Sequence, residues 1–370
     1  MDFDFNEEQT RHKISAQQFA KRELVPRASA IDTSGEIPAE VVSGLAATGL
    51  LGLDSDRVGF VLAVEEIAAA CASTARLVST HVGLFCRTIE RFGDEALKRS
   101  LLEPASSGAI IGAVAMLDEE HLKDAPLVAD RQESGGYVVR GETAPVALGQ
   151  RADVFLVFAR EAMNEEKDGL VALLVRRDAP GLTVKSAPMR LGLRGAPQAV
   201  LSFEGVLVAA DHVLGASQAG HEMLVSAHAE ARLAIAAEAL GVGRAAYEKA
   251  CLQVKQEQQK QAGAGLLGMQ TQLADMSVEL DAARLLVLRA AQLGDAGSGS
   301  TSVAEGAVGC LFATEMATRA AHKAMLLHGA RGADLALGLE RHLRDAHSVA
   351  LSDERGETQR ALIARSMLQG

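Results

Sequence analysis

The sequence predicts an α+β fold with three parts: an N-terminal helical domain (residues 1–108), a middle antiparallel β-domain (109–216) and a C-terminal four-helix bundle (217–370). Apolar residues recur every three to four positions in the first and last parts, which is the period of a helix with one buried face. The middle part instead has short apolar runs separated by Gly, Pro and Asp, as in strands. A chain of 370 residues with 48% hydrophobic content can bury the large core that this fold needs.

The N-terminal part carries apolar stripes at helical spacing, interrupted by Pro26 and by Gly49 with Gly52. The stripes consist of Ile14, Phe19 and Leu24, followed by Val41, Leu45 and Leu50. The stretch from Val61 to Arg91 is apolar nearly all round, which predicts helices enclosed on several sides.

In the middle part, runs of about five to seven residues predict the strands of an antiparallel sheet or small barrel. These runs are Ile110 to Met116, Tyr137 to Arg140, Val154 to Ala159, Leu170 to Val175, Leu182 to Lys185 and Ala199 to Phe203.

The helical period returns at about Gly220 and continues to the end of the chain, with a Gly/Ser-rich loop at Gly294 to Ser302. The predicted helices are Gly220 to Glu257, Gly268 to Gly294, Ser302 to Gly329 and Leu339 to Met367. Long helices joined by short loops form bundles. Gly241 and Gly243 follow a helical pattern rather than a strand, so they predict close helix packing and not a dinucleotide-binding turn.

Composition excludes several functional classes. The formal charge of -11 and pI near 5.5, without any Lys/Arg run, argue against a nucleic-acid surface. The acidic start lacks a secretory signal pattern, and no apolar stretch is long enough to span a membrane, so a soluble cytoplasmic protein is expected. No Cys or His spacing indicates a metal site or a disulfide scaffold.

Short strings along the whole chain resemble the acyl-CoA dehydrogenase family. They include FNEEQ near the start, GLLGL at Gly49 to Leu53, VEEIAAACAST at Val64 to Thr74, ADVFLVFAR at Ala152 to Arg160, LGLRGAP at Leu191 to Pro197, ARLAIAAEALG at Ala231 to Gly241, LERHLRDA at Leu339 to Ala346 and ETQRALIARSML at Glu357 to Leu368. No string is decisive singly, but together they are collinear with the family over the full length.

The resemblance implies flavin adenine dinucleotide (FAD) between the β-domain and the bundle, usually in a tetramer. It also implies a carboxylate that takes the α-proton of an acyl thioester while a hydride leaves the β-carbon for the flavin. Such proton removal requires a base in a dry pocket and hydrogen bonds to the developing enolate oxygen.

The family motifs that contact the flavin ring are replaced in this chain. The Thr of a family Thr-Glu-Pro string is matched by Leu117, after Met116, and only Asp124 matches the following Gly-Ser-Asp. Glu119 and Glu120 add negative charge where a phosphate group would approach. The Trp-Ile-Thr string that covers the ring is matched by Pro145, Val146 and Ala147. The resemblance therefore implies cofactor positions that lack a hydroxyl and an indole.

Flavin contacts from the bundle are also replaced. The Arg and Phe of an Arg-x-x-Phe-Gly string, which hold the nucleotide of the neighbouring subunit in relatives, are matched by Gln256 and Gln259, followed by Lys260. Gln brings no charge to a phosphate, so weaker FAD binding is expected. A Gln and Gly-Gly pair near the adenine is matched by Leu326, Gly329 and Ala330.

The family base lies in a Tyr-Glu-Gly-Thr string, and ungapped counting places Ser352 at the Tyr and Asp353 at the Glu. Asp353 is therefore a candidate catalytic base, although its side chain is one methylene shorter. A charged run such as SDERGE is also typical of a solvated turn. Some relatives carry the base just before a bundle Arg that matches Arg232. That position is Ala231, which leaves neighbouring Glu230 as a second candidate.

Three hypotheses follow for a protein that handles acyl thioesters carried by coenzyme A or an acyl carrier protein. The first is a degenerate subunit that completes a hetero-oligomeric acyl-CoA dehydrogenase with a paralogous catalytic subunit. The second is an active FAD-dependent α,β-dehydrogenase, an oxidoreductase acting on CH–CH groups as a homo-oligomer, with Asp353 as base. The third is a flavin-free lyase or isomerase on the same fold. The sequence leaves the acyl group and pathway open.

Overall fold

The computed structural model describes residues 4–53, 56–117, 126–162, 169–215, 219–260, 265–296, 299–352 and 356–369. Its elements run in the predicted order of helices, strands and helices, so the predicted α+β fold is confirmed. Within these ranges, no helix is both long and apolar enough to cross a lipid bilayer. The same ranges contain no group of three or more His, Cys, Asp or Glu side chains that could hold a metal ion.

Within the described residues, the N-terminal part consists of seven α-helices. They are α1 (Glu7–Phe19), α2 (Ala28–Ser34), α3 (Ala39–Ala47), α4 (Arg57–Ala70), α5 (Ala72–Val78), α6 (Arg87–Phe92) and α7 (Glu95–Ser106). Of these, α1, α4 and α7 begin at side-chain caps. Asn6 and Gln9 form a reciprocal capping box at α1, and the Asp56 carboxylate accepts from the Val58 and Gly59 amides at α4. The α5 helix continues into a π-helical segment, Ser79–Cys86, a wider turn that is common at functional sites.

The middle part is one mixed sheet. Its strands are β1 (Gly112–Ala115), β2 (Val128–Arg131), β3 (Tyr137–Glu142), β4 (Val154–Glu161), β5 (Leu170–Arg176), β6 (Leu182–Ser186), β7 (Ala199–Val208) and β8 (Val213–Leu214). The strand order is β6-β7-β3-β2-β4-β5-β8, and β1 pairs with β4. The six predicted strands are present, whereas β2 and β8 were not predicted because they are short and β2 is half polar.

Most strand pairs are antiparallel, as predicted, but β1 and β2 each run parallel to β4. An apolar run looks the same in either direction, so the sequence carries no signal for this difference. The parallel pairing aligns Gly112 with Val154. The chain leaves β1 through Met116 and Leu117, which lie at the end of the sheet that meets the helices.

The C-terminal part is built on a central helix that packs against both the N-terminal helices and the rest of the bundle. The helices are α8 (Gly220–Gln259), α9 (Gly265–Asp295), α10 (Gly299–Leu327), α11 (Leu339–Ala350) and α12 (Gly356–Gln369). The helix predicted from Leu339 to Met367 is therefore two helices. The polar run after Ala350 separates them, because these residues do not continue the apolar stripe of α11.

The α8 helix is buried over most of its middle, and its two predicted packing glycines explain how neighbours come close. A Cβ added at Gly241 would lie 2.4 Å from the Glu65 carbonyl oxygen of α4. One at Gly243 would lie 2.8 Å from the Met316 sulfur of α10. The glycines thus serve helix packing, which places α4, α5 and α8 side by side under the sheet.

Candidate functional site

A pocket lies where the β-domain meets the buried middle of α8. From α5 and its π-helical extension it is lined by Arg76, Ser79, Thr80 and Leu84, from the β-domain by Val114, Met116 and Ala147, and from α8 by Ala231, Ala234, Ile235 and Glu238. The structure thus brings together Met116 and Ala147, two of the positions that the sequence matched to flavin contacts. We call the β-domain side the wall of this cleft and the helical side its floor.

The wall is apolar. Val114, Met116 and Ala147 carry no hydroxyl or amide side chain, and Leu117 next to Met116 packs into a buried apolar cluster. Backbone groups near the wall are also engaged, because the Val146 amide donates to the Ala199 carbonyl at 2.8 Å. His228 Nε2 lies 2.9 Å from the Leu117 carbonyl oxygen, which suits a donated hydrogen bond. Among the residues that the structure describes, the wall therefore offers shape but no side-chain donor.

The residue that follows Ala147 of the wall has an unfavourable backbone conformation. Leu148 follows Ala147, has φ of 59° and is fully buried. A left-handed conformation costs a residue with a Cβ about 1 to 2 kcal/mol. The surrounding turn, in which the Ala152 amide donates to the Leu148 carbonyl at 2.9 Å, holds this geometry. The position of Ala147 is thus set by a constrained turn rather than by a flexible loop.

The floor, by contrast, contains buried charges. Arg76 of α5 donates through Nη2 to Glu238 Oε2 at 2.7 Å and through Nε to the same oxygen at 3.1 Å. Its Nη2 also donates to Ser352 Oγ at 2.9 Å. Glu238 is fully buried, and Arg76 is only 7% exposed. The cleft therefore ends on an ion pair shielded from water.

Glu238 is not fully satisfied by this pairing. Among the described residues, its Oε1 has no partner with hydrogen-bond geometry, and neither has Ser79 Oγ. Burial raises the pKa of the Glu238 carboxyl, against the lowering effects of Arg76, the approaching Ser79 hydroxyl and Arg190. The cleft thus presents one carboxylate oxygen and one hydroxyl that approach each other without forming an aligned hydrogen bond.

The candidate base Glu230 has a different environment. Arg57 donates to its Oε1 through Nε at 2.9 Å and through Nη2 at 2.5 Å. Arg87 donates to its Oε2 through Nη1 at 2.9 Å. Glu230 is 6% exposed, and the neighbouring Ala231 lines the cleft in its place. This geometry suits a structural ion cluster, and a catalytic role for Glu230 stays an untested prediction.

Asp353, Glu119, Glu120 and Asp124 lie outside the described residues. The neighbour of Asp353 in the chain, Ser352, is described and buried. Its hydroxyl donates to the Ser348 carbonyl at 3.0 Å while it accepts from Arg76. The α11 end of the bundle is therefore tied to the cleft floor.

The other predicted cofactor positions do not lie at the cleft. Gln256 and Gln259 are exposed near the C-terminal end of α8. Gly329 is exposed as well, has φ of +58° and has nothing within 4 Å of an added Cβ. These positions face solvent in a single chain, and their predicted role toward the nucleotide of a neighbouring subunit stays a prediction.

Sequence reasoning missed the two charged residues of the floor. Both stood out as single charges within apolar strings, Arg76 in ASTARLV and Glu238 in LAIAAEALG. Charged residues are almost never fully buried unless they are paired, so such a pattern signals a buried ion pair. What the strings could not show is that the partners are separated by 162 positions in the chain.

Comparisons with known proteins agree with this architecture. Family models of the acyl-CoA dehydrogenase N-terminal, middle and C-terminal domains match residues 6–109, 120–206 and 218–368. A probable acyl-CoA dehydrogenase of Bacillus subtilis is 33% identical over 382 residues, covering 100% of both chains. The mitochondrial short-chain specific acyl-CoA dehydrogenase of Homo sapiens is 32% identical over 95% of this chain and 88% of its own length.

The solved structure of butyryl-CoA dehydrogenase from Megasphaera elsdenii superposes with a TM-score of 0.91 at 27% identity, covering 100% of both chains. The order of the elements, the cleft between sheet and bundle, and matches to all three domain models thus lead to one conclusion: this chain belongs to the acyl-CoA dehydrogenase family.

Proposed function

We propose that the chain is an acyl-thioester-binding subunit that completes a hetero-oligomeric acyl-CoA dehydrogenase. In this assembly a paralogous catalytic subunit provides the flavin contacts and the base. The observation that carries the proposal is the apolar wall formed by Val114, Met116 and Ala147. Relatives that bear the names of acyl-CoA and short-chain acyl-CoA dehydrogenases support thioester handling.

The wall does not fit the flavin well. An isoalloxazine ring carries nitrogen and oxygen atoms along one edge, and a protein holds and tunes the ring by hydrogen bonds to them. Met116, Leu117 and Ala147 provide no side-chain donor, and the Val146 amide already donates to Ala199. Polar atoms left without partners on burial cost about 1 to 3 kcal/mol each. Weak flavin binding by this chain alone follows.

The carboxylates at the cleft floor are also not arranged as a general base would be. The carboxylate that reaches the cleft, Glu238, is already bound to Arg76, which in turn holds Ser352. Glu230 has both oxygens engaged by guanidinium groups. Within the described ranges, no carboxylate therefore faces the cleft without a cationic partner in the way that a general base requires.

A second candidate is an active FAD-dependent dehydrogenase that uses Asp353 as base. It is favoured by the position of Ser352, the residue before Asp353, at the cleft floor. For this candidate, Asp353→Asn would abolish thioester oxidation, whereas the degenerate subunit would show no oxidation to abolish.

The test is the flavin content of the purified chain. Expressed alone, it should be colourless or contain far less than one flavin per chain. Co-expressed with a paralogous acyl-CoA dehydrogenase from the same genome, it should purify in a mixed oligomer that contains flavin. A homo-oligomer that retains one flavin per chain and oxidises acyl-CoA would overturn the proposal.

A matched pair of variants tests the wall directly. Ala147→Thr adds a hydroxyl and a methyl group, and Ala147→Val adds the same shape without the hydroxyl. If the missing donor limits flavin binding, the Thr variant should bind FAD about threefold to tenfold more tightly than wild type, the gain expected from one hydrogen bond. The Val variant should show no gain. Equal affinities for the two variants would mean that the wall is not the limiting feature.

A further inference from the structure

A second cavity, of about 440 Å³, lies where the β-domain meets the N-terminal helices. It is enclosed by three segments that are far apart in the chain: residues 34–37 at the end of α2, residues 150–151 before β4, and parts of the loop 187–198 between β6 and β7. Small-molecule sites in proteins have volumes of about 300 to 1,000 Å³. The cavity is therefore large enough for a small molecule, and it shares no lining residue with the cleft.

The lining of this cavity is strongly positive. Three guanidinium groups line it, those of Arg151, Arg190 and Arg194, and the one carboxylate among the lining residues is that of Glu36, which is exposed. A guanidinium group stays charged at any pH at which proteins fold. Three guanidinium groups and one carboxylate leave an excess of two positive charges. Such a concave positive surface attracts an anion rather than a neutral or cationic molecule.

Arg194 has a guanidinium group whose donors are not used. Within the described residues, its side chain forms no ion pair or hydrogen bond, although its Nε atom is buried. Proteins rarely leave a buried N–H group without an acceptor, because the lost hydrogen bonds to water are not replaced. An anion in the cavity would supply both the acceptor and the counter-ion that Arg194 lacks.

Arg151 is held by a backbone group rather than by a carboxylate. Its Nη1 donates to the Ile37 carbonyl, and in the described part of the chain it forms no ion pair. Partial burial lowers the pKa of Arg151, against the opposing effects of the charges on Asp153 and Glu36. Asp153 accepts from the Ile111 amide at 2.8 Å instead. The charge of Arg151 is thus removed from water without a counter-ion in contact, so an anion beside it would stabilise it.

The third arginine and the apolar lining complete the cavity. Arg190 Nη2 donates to the Ser348 carbonyl at 3.1 Å and to the Leu351 carbonyl at 3.3 Å, near the end of α11. These bonds hold its charge at the cavity. The buried side chains of Ile37 and Leu193 form part of the remaining surface. The cavity therefore combines a positive cluster with apolar surface that the organic part of a ligand can cover.

We propose that this cavity binds the phosphate group of a small molecule, and that Arg194 and Arg151 hold that phosphate. Guanidinium groups are planar forks that match pairs of phosphate oxygens. A phosphate monoester carries a charge of about −1.5 to −2 at pH 7, which balances the excess of two positive charges better than a single carboxylate does. The site is separate from the cleft, so the inference does not depend on the proposed function.

The experiment is calorimetric titration of the full-length protein, in a buffer free of phosphate, with adenosine monophosphate (AMP), inorganic phosphate, adenosine and acetate. AMP should bind about tenfold or more tightly than adenosine, and phosphate about tenfold or more tightly than acetate, since one additional hydrogen bond between charged groups has that effect. Tighter binding of AMP than of inorganic phosphate assigns the site to an organic phosphate. Equal or weaker binding of AMP assigns it to free phosphate.

Variants locate the bound phosphate. Arg194→Gln and Arg151→Gln should each weaken the binding of the tighter phosphate ligand by about tenfold or more. Arg131→Gln is the matched control, because it removes the same charge from an exposed position on β2 outside the cavity and should leave the affinity nearly unchanged. Glu36→Gln removes the opposing charge at an exposed position, so it should tighten binding. Thermal midpoints measured in the same buffer verify that the variants are folded.

Three results would overturn the inference. The first is that neither AMP nor inorganic phosphate binds saturably. The second is that adenosine binds as tightly as AMP and acetate as tightly as phosphate, so that the phosphate group brings no advantage. The third is an affinity that is the same in wild type, Arg194→Gln and Arg151→Gln, which would place the phosphate elsewhere, for example at the cleft. Each of these results leaves thioester binding at the cleft untouched, so the two proposals fail separately.

Discussion

The α8 helix carries two buried glutamates that the fold treats in opposite ways. Glu230 is surrounded by Arg57 and Arg87, and Arg57 is in turn paired with Asp295 at 3.3 Å. Among the described residues, Glu238 forms an ion pair with Arg76 alone, and its other oxygen is left to the approaching Ser79 hydroxyl. The first site joins α4, α6, α8 and α9, and the second lies at the floor of the cleft.

The difference between these two sites indicates how the role of a buried charge can be inferred from its partners. A buried ion pair contributes little net stability compared with apolar residues of the same size, because removing both charges from water is expensive. A carboxylate with all its acceptors satisfied is therefore consistent with holding helices in register. One with a single ion-pair partner, such as Glu238, depends on that partner instead. Variants at the two sites should therefore differ in their effects on stability.

The largest effect is expected for Glu230→Leu, which leaves the buried Arg87 and the partly exposed Arg57 without their shared carboxylate. The free energy of unfolding should fall by about 3 to 5 kcal/mol. Chemical denaturation measures this loss. Glu222→Gln is the control. Glu222 lies on the same helix as Glu230 but forms an exposed ion pair with Arg91 of α6, so this substitution should cost less than about 1 kcal/mol. Similar losses for both variants would contradict a structural role for Glu230.

Arg76→Met should come next, with a loss of up to about 3 kcal/mol, because Glu238 is left buried without its counter-ion. The loss should be greater at pH 8 than at pH 5.5. Without Arg76, the pKa of the buried Glu238 carboxyl rises further. The protein therefore folds readily only when this carboxyl is protonated. In the double variant Arg76→Met, Glu238→Leu, most of the stability should return. A double variant as unstable as the single variant would show that Arg76 acts through other contacts.

Glu238→Gln should change stability by about 2 kcal/mol or less, since Gln still accepts from Arg76. Its diagnostic feature is pH dependence. Burial raises the pKa of Glu238, so the folded state holds this proton more tightly than the unfolded state. The resulting stabilisation is complete below the ordinary glutamate pKa of about 4.3 and is lost as the pH rises through the raised value. Relative to the variant, wild type should therefore lose stability from pH 4 to 8, and parallel curves would contradict this.

The smallest effect is expected for Ser352→Ala, which removes the hydroxyl that accepts from Arg76 and donates to Ser348. A cost of about 1 kcal/mol is expected for the lost hydrogen bonds. Ser348→Ala provides a comparison, because its hydroxyl accepts from the Gly192 amide at 2.8 Å, outside the cleft floor. If Ser352 supports the floor, its variant alone should also weaken thioester binding.

Much of the fold could be predicted because its signals are periodic and local. The six predicted strands appear within a residue or two of their apolar runs, apart from the longer C-terminal end of β7, and the long helices α8, α9 and α10 match to within about three residues. The errors have local causes. The prediction continued one helix past Ala350, where α11 ends. The strand β8 was missed because it has only two residues.

The candidate site was predictable in part. Resemblance matched Met116 and Ala147 to flavin contacts, and the structure brings the two residues together at one pocket, while their role toward a flavin stays a prediction. It also proposed Glu230, whose two arginine partners are 173 and 143 positions away in the chain. Such pairings depend on which helices become neighbours, and no spacing rule within one helix reports them.

The order of helices and strands and the family could be read from the residues alone, whereas the replacement of flavin contacts stays a prediction. These follow from residue types and their local periods. Packing of the helices brings Arg76 to Glu238 and brings Arg57 and Arg87 to Glu230, and no local pattern in the sequence indicates these pairs. The physical reason is that burial and ion pairing are properties of surfaces brought together by packing, and a charged residue acquires its role from the groups that surround it.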